Sequence, residues 1–511
     1  MPAFSFYSSQ SRRCVWFTAP HFSSTLTYRY SLAMLSSNSP IALHILPVAL
    51  LTSSLLLSQQ VRADSITSAG DISTQSLSDQ QSLPDLSNTI SQPITPPPSG
   101  LTDMNYAVLQ AEQWHPAIGQ AVGKLFQQAS KVDEAKSKYY PQVSAGMNNG
   151  YSNSYVDAGY SPSLEVSVSQ MLYDFGKVSS SVRSANAGLA QQQANVMVSI
   201  DQVAHDTASA LVQVQGYQKL VVIAQQQLDA LNHIGSLIQQ RNTAGASSLS
   251  DVVQTNTRIE GAKATLMQYQ SALQRWKATL ATDMGTGPVG QVADTLPPAL
   301  MNACAIQQIN YRVIPSVLAA YAQKNQAQAD LDNANAQMRP TLSLEPQVTH
   351  YLNNNYSDSR ELDKTQYSAF IKLQMPLYQG GGLTASRDAA IQTLESARAA
   401  IRLAELEARQ KLTESQEQAQ NLYQTLDVQA RQQRLGEKTR DLYEAQYLQL
   451  GTRPLLDLLN VEQEIYQAKF TQEQTQAQLH SLQLDCLYST GQIRNAFALN
   501  NRKIQGVEIR P

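Results

Sequence analysis

Tyr173-Asp174-Phe175-Gly176 and, further along, Tyr378-Gln379-Gly380-Gly381-Gly382 are turn-like stretches in matching positions, and the chain repeats itself around them. The interval from Tyr173 to Gly245 is 72, and that from Tyr378 to Gly451 is 73. From Gly245 to Gly285 it is 40, and from Gly451 to Gly491 again 40. Upstream, Pro116 to Pro141 is 25, as is Pro315 to Pro340. Only the Pro-to-Tyr interval differs, 32 against 38, which predicts a longer loop in the second copy. Landmarks at such fixed spacing mark one structural unit used twice, over 101–300 and 301–495.

Each unit has the same internal order. A helix is predicted over 105–139 and again over 309–338. Two alternating segments follow: Val143, Ala145 and Met147, then Leu164, Val166 and Val168 in the first copy, and Leu342, Leu344 and Val348, then Ala369, Ile371, Leu373 and Met375 in the second. Period-two alternation is the strand signal. The opposite faces carry Ser144, Glu165, Ser167, Ser343, Glu345, Gln347, Lys372 and Gln374, and tyrosines flank the segments. About ten residues of apolar/polar alternation with aromatic ends is the pattern of a membrane β-barrel strand. Long helices then begin. Ile200, Val203, Thr207, Ala210, Val214, Tyr217, Val221, Ala224, Leu228 and Leu231 step by three and four, and so do Leu458, Val461, Ile465, Ala468, Gln472, Thr475, Leu479, Leu482 and Cys486. That stagger is the seam of left-handed helix packing, and its many Ala, Thr and Gln predict thin helical walls. Gly245 and Gly451 break the helices into antiparallel pairs. An Asp follows each by six residues, Asp251 and Asp457, where a carboxylate suits a helix N-terminus.

Composition agrees with walls and not with thick globular cores. Of 511 residues, charged ones make up 15% and aromatics 7%. Residues 1–63 contain Arg12, Arg13, Arg29 and Arg62 but no acid, an apolar run from Ile41 to Leu57, and Val61-Arg62-Ala63, which together read as a secretory signal. Met34 is an alternative start. Without residues 1–63 the net charge moves from −3 to −7, giving no basic footprint for nucleic acid. Residues 64–100 are rich in Ser, Thr, Gln and Asp and end in three prolines, so they read as a disordered linker. Residues 496–511 form a C-terminal tail. Beyond the signal, no segment approaches 18 apolar residues, so a membrane span must be made of strands. Cys304 and Cys486 remain in an exported chain and are either a disulfide or two separate thiols.

Four strands per chain cannot close, and a bilayer tolerates only closed barrels. Two chains would supply eight strands and three would supply twelve; composition and spacing leave that choice open.

The repeated plan, with Gln170-Met171-Leu172-Tyr173-Asp174-Phe175-Gly176 and Leu450-Gly451-Thr452-Arg453-Pro454-Leu455-Leu456-Asp457, resembles the TolC family of outer-membrane efflux proteins over roughly residues 101–495. The resemblance implies a mainly α chain with β-strands forming a channel-tunnel. Three copies would make a twelve-stranded β-barrel in outer-membrane lipid, continued by a helical barrel in the periplasm. It also implies docking of the helical tips, at Gly245 and Gly451, onto a periplasmic adaptor (a membrane fusion protein) that joins an inner-membrane ABC transporter. Asp251, Arg453 and Asp457 match charged positions that close the family's periplasmic gate. A further acidic position falls on Asn460 and the gate tyrosine on Leu448, beside Tyr447, so this chain departs from the pattern there. Leu296–Cys304 and Ile504–Ile509 are similar to the agglutination-protein branch, which implies type I secretion of a large adhesin. Drug efflux through the same duct is the alternative, and a pore-less periplasmic coiled-coil scaffold is a third reading.

Catalytic patterns are missing. Gly285-Thr286-Gly287-Pro288-Val289-Gly290 has the spacing of a dinucleotide loop but no preceding strand, and Pro stands where the helix should start. His115, His205, His233, His350 and His480 show no metal-ligand spacing. The expectation is a protein with no cofactor, no metal and no enzymatic reaction.

Overall fold

The computed structural model describes residues 71–73, 100–153, 158–356, 360 and 362–510. The expected signal at 1–63 lies outside the described residues. In chain order the elements are β1 (Asp71–Ser73), α1 (Met104–Trp114), α2 (Pro116–Ser137), β2 (Gln142–Asn153), β3 (Ala158–Tyr173), α3 (Lys177–Thr243), α4 (Leu249–Met284) and α5 (Pro298–Met301). A 3₁₀ turn at Tyr311–Val313 leads into α6 (Pro315–Gln337), β4 (Thr341–Tyr351), β5 (Thr365–Gln374) and α7 (Gly382–Ala445). A π-helical turn, Gln446–Leu450, precedes α8 (Leu455–Ser489), α9 (Ile493–Ala496), β6 (Arg502–Ile504) and β7 (Val507–Arg510).

The duplicated intervals reappear as duplicated geometry. Pro116 and Pro315 each start a helix at its first position, where a missing N–H costs nothing. The first predicted helix is in fact two: the residue before a proline avoids the helical region, so His115 (ψ 126°) separates α1 from α2 and caps the latter through Nδ1. Gly285 and Gly491 both sit in the left-handed region, at φ 63° and 68°. A Cβ on Gly285 would lie 2.1 Å from the Trp114 ring, and one on Gly491 would lie 2.6 Å from the Val313 carbonyl. These helix ends are therefore glycine for two reasons, conformation and contact.

α3 is one continuous helix of 67 residues, about 100 Å long. Asp174 starts it, its two carboxylate oxygens accepting from the Gly176 and Val178 N–H groups at 2.9 and 2.5 Å. Its seam is buried from Ile200 to Val214 and from Ala224 to Leu231, with Tyr217 and Val221 between them partly buried. It packs against α1, α2, α4, α6 and α8. The largest apolar core gathers α1, the middle of α3, the ends of α4 and α8, and the C-terminal residues Ile504, Val507 and Ile509.

At both chain ends the described residues form short strands. Residues 71–73, inside the expected linker 64–100, form β1 and pair parallel with β7. The expected tail is a β-hairpin, β6–β7, whose apolar side chains join the core. The Gln505 side-chain amide donates to the Glu112 and His115 carbonyls, fastening the hairpin to the α1–α2 break. Just before it, Arg494 reaches Asp201 of α3 at 2.5 Å and the Val313 carbonyl at 3.1 Å, with both charged side chains almost fully buried. Glu112 is buried nearby, and burial together with the Asp201 charge raises its pKa well above the carboxylate range against the pull of Arg494.

β2, β3, β4 and β5 form one antiparallel four-stranded sheet in that order. The start of the longer second loop is hydrogen-bonded to β3 of the first hairpin. Tyr356 is buried, stacks on Tyr351 at 4.7 Å and donates to the Leu362 carbonyl, while the Asn353 and Asn355 amides donate to the Tyr160 carbonyl. Among the described residues, no helix is long and apolar enough to cross a membrane.

Candidate functional site

The register of the sheet sorts its side chains onto two faces. Val143 lies opposite Val168, Ala145 opposite Val166 and Met147 opposite Leu164, with Val166 next to Val348 and Val348 next to Tyr367. This face is mainly apolar and bare, with Gln170 and His350 among its polar members by register: Val143 is 69% exposed and Ile371 72%. On the other face Ser144 and Ser167 hydrogen-bond at 2.7 Å, Asn148 donates to Glu165 at 2.7 Å, and Lys372 lies 3.6 Å from Glu345. Phe370 is an apolar exception there, directly opposite Glu345. One exposed apolar face and one polar, hydrogen-bonded face is what a strand between lipid and water requires.

The outer strands β2 and β5 each have one paired neighbour. Their free edges carry unpaired backbone N–H and C=O groups, which hydrocarbon cannot solvate. The sheet is open, not a closed barrel, with one unpaired edge at β2 and one at β5.

The second long helix pair repeats that incompleteness. α7 packs against α8 and α6, but Val428, Leu435 and Leu442, spaced seven apart, are all more than half exposed. A groove of about 580 Å³ between α7 and α8 is lined by Val428, Leu435, Gly436, Val461, Ile465 and Ala468, among others. An exposed apolar stripe at seven-residue spacing has the pattern of a helix-packing seam.

The helical tips carry the charged residues singled out from the sequence. At the first tip, Gly245 (φ 74°) ends the turn after α3, and Ser248 and Asp251 make a reciprocal capping box at the start of α4. The Ser247 hydroxyl also donates to Asp251 at 2.8 Å. Burial slightly opposes ionisation of Asp251, but these hydrogen bonds outweigh it and hold its pKa below the ordinary value. At the second tip, Gly451 (φ 64°) ends the π turn. Arg453 there donates to Asp457 at 3.0 Å and to Gln446 at 3.2 Å, and lies over the Tyr443 ring at 4.2 Å. The structure therefore brings Arg453 and Asp457 together, whereas Asp251 has no ion-pair partner among the described residues. An Asp251–Arg453 link within one chain, one form of the expected gate, is absent from its described ion pairs, since each residue is engaged by nearer groups on its own tip. Asn460, in place of a further acid, accepts from Arg258 at 3.2 Å. Tyr447 is buried with Arg241 of α3 over its ring at 5.0 Å, so it joins the two tips of one chain. Sequence register showed only its closeness to the gate position; Arg241, in the other repeat, gave no signal.

Cys304 and Cys486 are joined in the structure, with Cα atoms 5.3 Å apart, so the loop after α5 is fastened to the end of α8. Beside it His205 of α3 sits between Asp485 of α8 at 2.9 Å and Asp206 at 3.2 Å, and Lys411 of α7 lies 3.7 Å from Asp485. Burial alone would lower the His205 pKa, but its two carboxylate partners push it up to about 9. No group of three or more His, Cys, Asp or Glu side chains able to hold a metal ion occurs among the described residues.

Comparison with known proteins adds relatives. The model of the outer membrane efflux protein family matches residues 107–286 and 314–485. Protein CyaE of Bordetella pertussis is 27% identical over 312 residues, 57% of this chain and 64% of that protein, so the match spans just under two thirds of that relative. The pyoverdine export outer membrane protein OpmQ of Pseudomonas aeruginosa is 24% identical over 371 residues, 69% of this chain and 77% of its own length. Outer membrane protein TolC of Salmonella enteritidis is 24% identical over 400 residues, 73% and 78% of the two chains. Among solved structures, the outer membrane protein VceC of Vibrio cholerae superposes with a TM-score of 0.67 at 18% identity, covering 76% of this chain and 96% of that one. The open-state MtrE outer membrane channel of Neisseria gonorrhoeae gives 0.63 at 18% identity, covering 84% and 98%.

Proposed function

Because the chain belongs to the outer membrane efflux protein family, with the TolC-like channel-tunnel fold, we propose that three copies assemble into one export duct across the outer membrane. The observation that carries this reading is the four-stranded sheet with two free edges, an apolar outer face and a polar inner face. β5 of one copy would pair with β2 of the next, so three arcs close twelve strands and leave no edge in lipid. The exposed seam of α7 would meet the neighbour's helices in the same turn of the ring, extending the barrel as a periplasmic tunnel.

The duct is one component of a three-part system. Its tips around Gly245 and Gly451 would dock a periplasmic adaptor, which joins an inner-membrane ABC transporter. The cargo is a protein, a large adhesin exported by type I secretion; the resemblance of Leu296–Cys304 and Ile504–Ile509 to the agglutination-protein branch supports this. Small-molecule export is the second reading, favoured by the likeness to a pyoverdine exporter. The duct performs no chemistry itself, as its family and fold are those of channels.

Two measurements test the proposal. Cross-linking of the purified protein in detergent should end at three subunits; a ladder ending at one or two overturns the assembly. Deletion of the gene should remove a large protein from the cell surface and leave sensitivity to toxic small molecules unchanged. The reverse pattern would assign the duct to small-molecule efflux.

A further inference from the structure

Charged side chains are rare on the barrel strands, and their pairing is unequal. β2 through β5 contain Glu165, Glu345 and Lys372 as their acids and bases, with His350 near the outer end. All three charges lie on the polar face, since Glu165 is registered against Gly146 and Thr349, and Ser343 against Lys372 two residues from Glu345. Glu345 is neutralised by Lys372 at 3.6 Å. Glu165 has an amide partner, Asn148 at 2.7 Å, and no cationic partner among the described residues. Its cross-strand neighbour Gly146 has no side chain to cover it. Thr349, beside Glu165, is four residues along β4 from Glu345, so the unpaired acid stands about 13 Å from the neutral pair along the strands.

We propose that Glu165 forms an acidic ring inside the barrel that makes the duct prefer cations and disfavour anionic cargo. This rests on the trimeric reading above. Three-fold symmetry puts three Glu165 carboxylates at one height. Twelve strands spaced about 4.8 Å apart and tilted by about 40° give a backbone radius of about 12 Å. Side chains reaching inward bring the carboxylates to roughly 8 Å from the axis. The Debye length is about 10 Å at 0.1 M salt and about 3 Å at 1 M. The three fields therefore overlap across the whole lumen in dilute salt and are confined to the wall in concentrated salt. Asn148 fixes the carboxylate without cancelling its charge, so the ring keeps its full sign where a passenger must go by. The Glu345–Lys372 pair contributes no net charge to compete with it.

The test is the reversal potential of the wild-type trimer in planar bilayers under a potassium chloride gradient centred near 0.1 M. Wild type should prefer potassium over chloride, and Glu165→Gln should lower that permeability ratio by on the order of three- to tenfold. Lys372→Gln, which frees Glu345, should raise it. Both effects should fade near 1 M salt. An unchanged ratio in Glu165→Gln, in trimers of normal conductance, overturns the ring. So does a preference abolished by Asp251→Ser at the tip while Glu165→Gln leaves it intact. A wild-type protein that conducts no current would instead overturn the channel reading, and with it this inference.

Discussion

α3 and α7 occupy the same place in the two repeats and are nearly equal in length, 67 and 64 residues. Yet α3 is buried along almost its whole length, from Val178 to Ile238, while α7 buries only Leu394, Ala397, Leu412, Ser415 and Ala419. Their local sequences differ in the same sense: α3 carries 7 Asp, Glu, Lys and Arg residues and α7 carries 19. Their surroundings differ as well: α3 packs against α1, α2, α4, α6 and α8, and α7 packs against α6 and α8. A duplicated unit thus yields one helix covered within its own chain and one left largely exposed, which the proposed ring would cover with another copy. The same division holds in the sheet, where β3 and β4 are paired on both sides and β2 and β5 on one.

The largest expected effect separates these two helices. Leu211 of α3 is fully buried, and Leu435 of α7 is 66% exposed. Leu211→Asp puts an unpaired charge in the core at a cost of several kcal/mol, so no folded chain should be recovered. Leu435→Asp should leave the chain foldable and remove the trimer. Helical content by circular dichroism and the trimer band on a mild-detergent gel read the two apart. A full trimer band for Leu435→Asp would show that the α7 seam is not an interface.

The ends of α4 and α8 give the next contrast. Five residues before the terminal glycine, the first repeat has Leu280 and the second Cys486, both fully buried. The first repeat closes by apolar packing alone; the second adds a bond to Cys304 across a sequence separation of 182. Chain-entropy arguments put such a cross-link at about 5 kcal/mol as an upper value, with roughly 2–4 kcal/mol typical. Cys304→Ala with Cys486→Ala should lower the melting midpoint in the exported protein, as should reductant on the wild type. Two free thiols in protein isolated from the envelope would dispose of the bond.

A smaller effect depends on pH. His205 of α3 is clamped to α8 through Asp485, whereas Gln410, at the corresponding distance from Tyr378 in α7, faces Glu414 on its own helix. The folded pKa of His205, about 9, lies above its ordinary value of 6.5. Its contribution is therefore full below 6.5 and is lost as pH rises through about 9. The pKa values of Asp206 and Asp485 are lowered: burial opposes ionisation, but hydrogen bonds and charge from His205 prevail, so their share is lost as pH falls below about 4. Stability should decline by a few kcal/mol at most between about pH 6.5 and 9.5, and His205→Gln should flatten that decline. Parallel melting curves for wild type and variant would show that the clamp carries no linkage.

Most of the architecture was legible because it is periodic. Val143, Ala145 and Met147 announce a strand by their own alternation, Ile200 to Leu231 a seam by their own stagger, and Gly245, Gly285, Gly451 and Gly491 their helix ends by spacing alone. What escaped notice depends on residues far apart in sequence. Nothing near Gln505 shows that it fastens to the His115 carbonyl 390 residues away, and nothing near Arg494 points to Asp201, 293 residues away. The break at His115 was within reach, since a proline restricts the residue before it, as was Asp174, an acid two residues before a glycine at a helix start. At the tips the sequence placed the charged residues but not their partners, because Asp251 and Arg453 each have competing groups within a turn or two of their own helix.

That competition makes the gate the finest test of the comparison. The first tip spends its acid on a capping box, and the second pairs its base with an acid four residues on, so neither tip needs the other within one chain. In a ring of three, tips of the two kinds alternate, and we propose that Arg453 of one tip also reaches Asp251 of the tip beside it. An exposed pair of this kind is worth roughly 0.2–1 kcal/mol, so three of them would hold an entrance weakly enough for an adaptor to open it. Under this proposal Asp251→Ser and Arg453→Ser each raise single-channel conductance, and the double variant adds little to either. If each tip is self-contained, Asp251→Ser costs only its helix cap, about 1 kcal/mol in thermal stability. Arg453→Ser then loosens Asp457 and Tyr443 with no change in conductance. A double-mutant cycle read in conductance separates the two, because removing a cap from α4 and a guanidinium from the turn at Gly451 have additive effects when the tips do not touch. Additive or absent conductance changes, with trimers intact, would take Asp251 and Arg453 out of the gate and leave the two tips as independent helix ends.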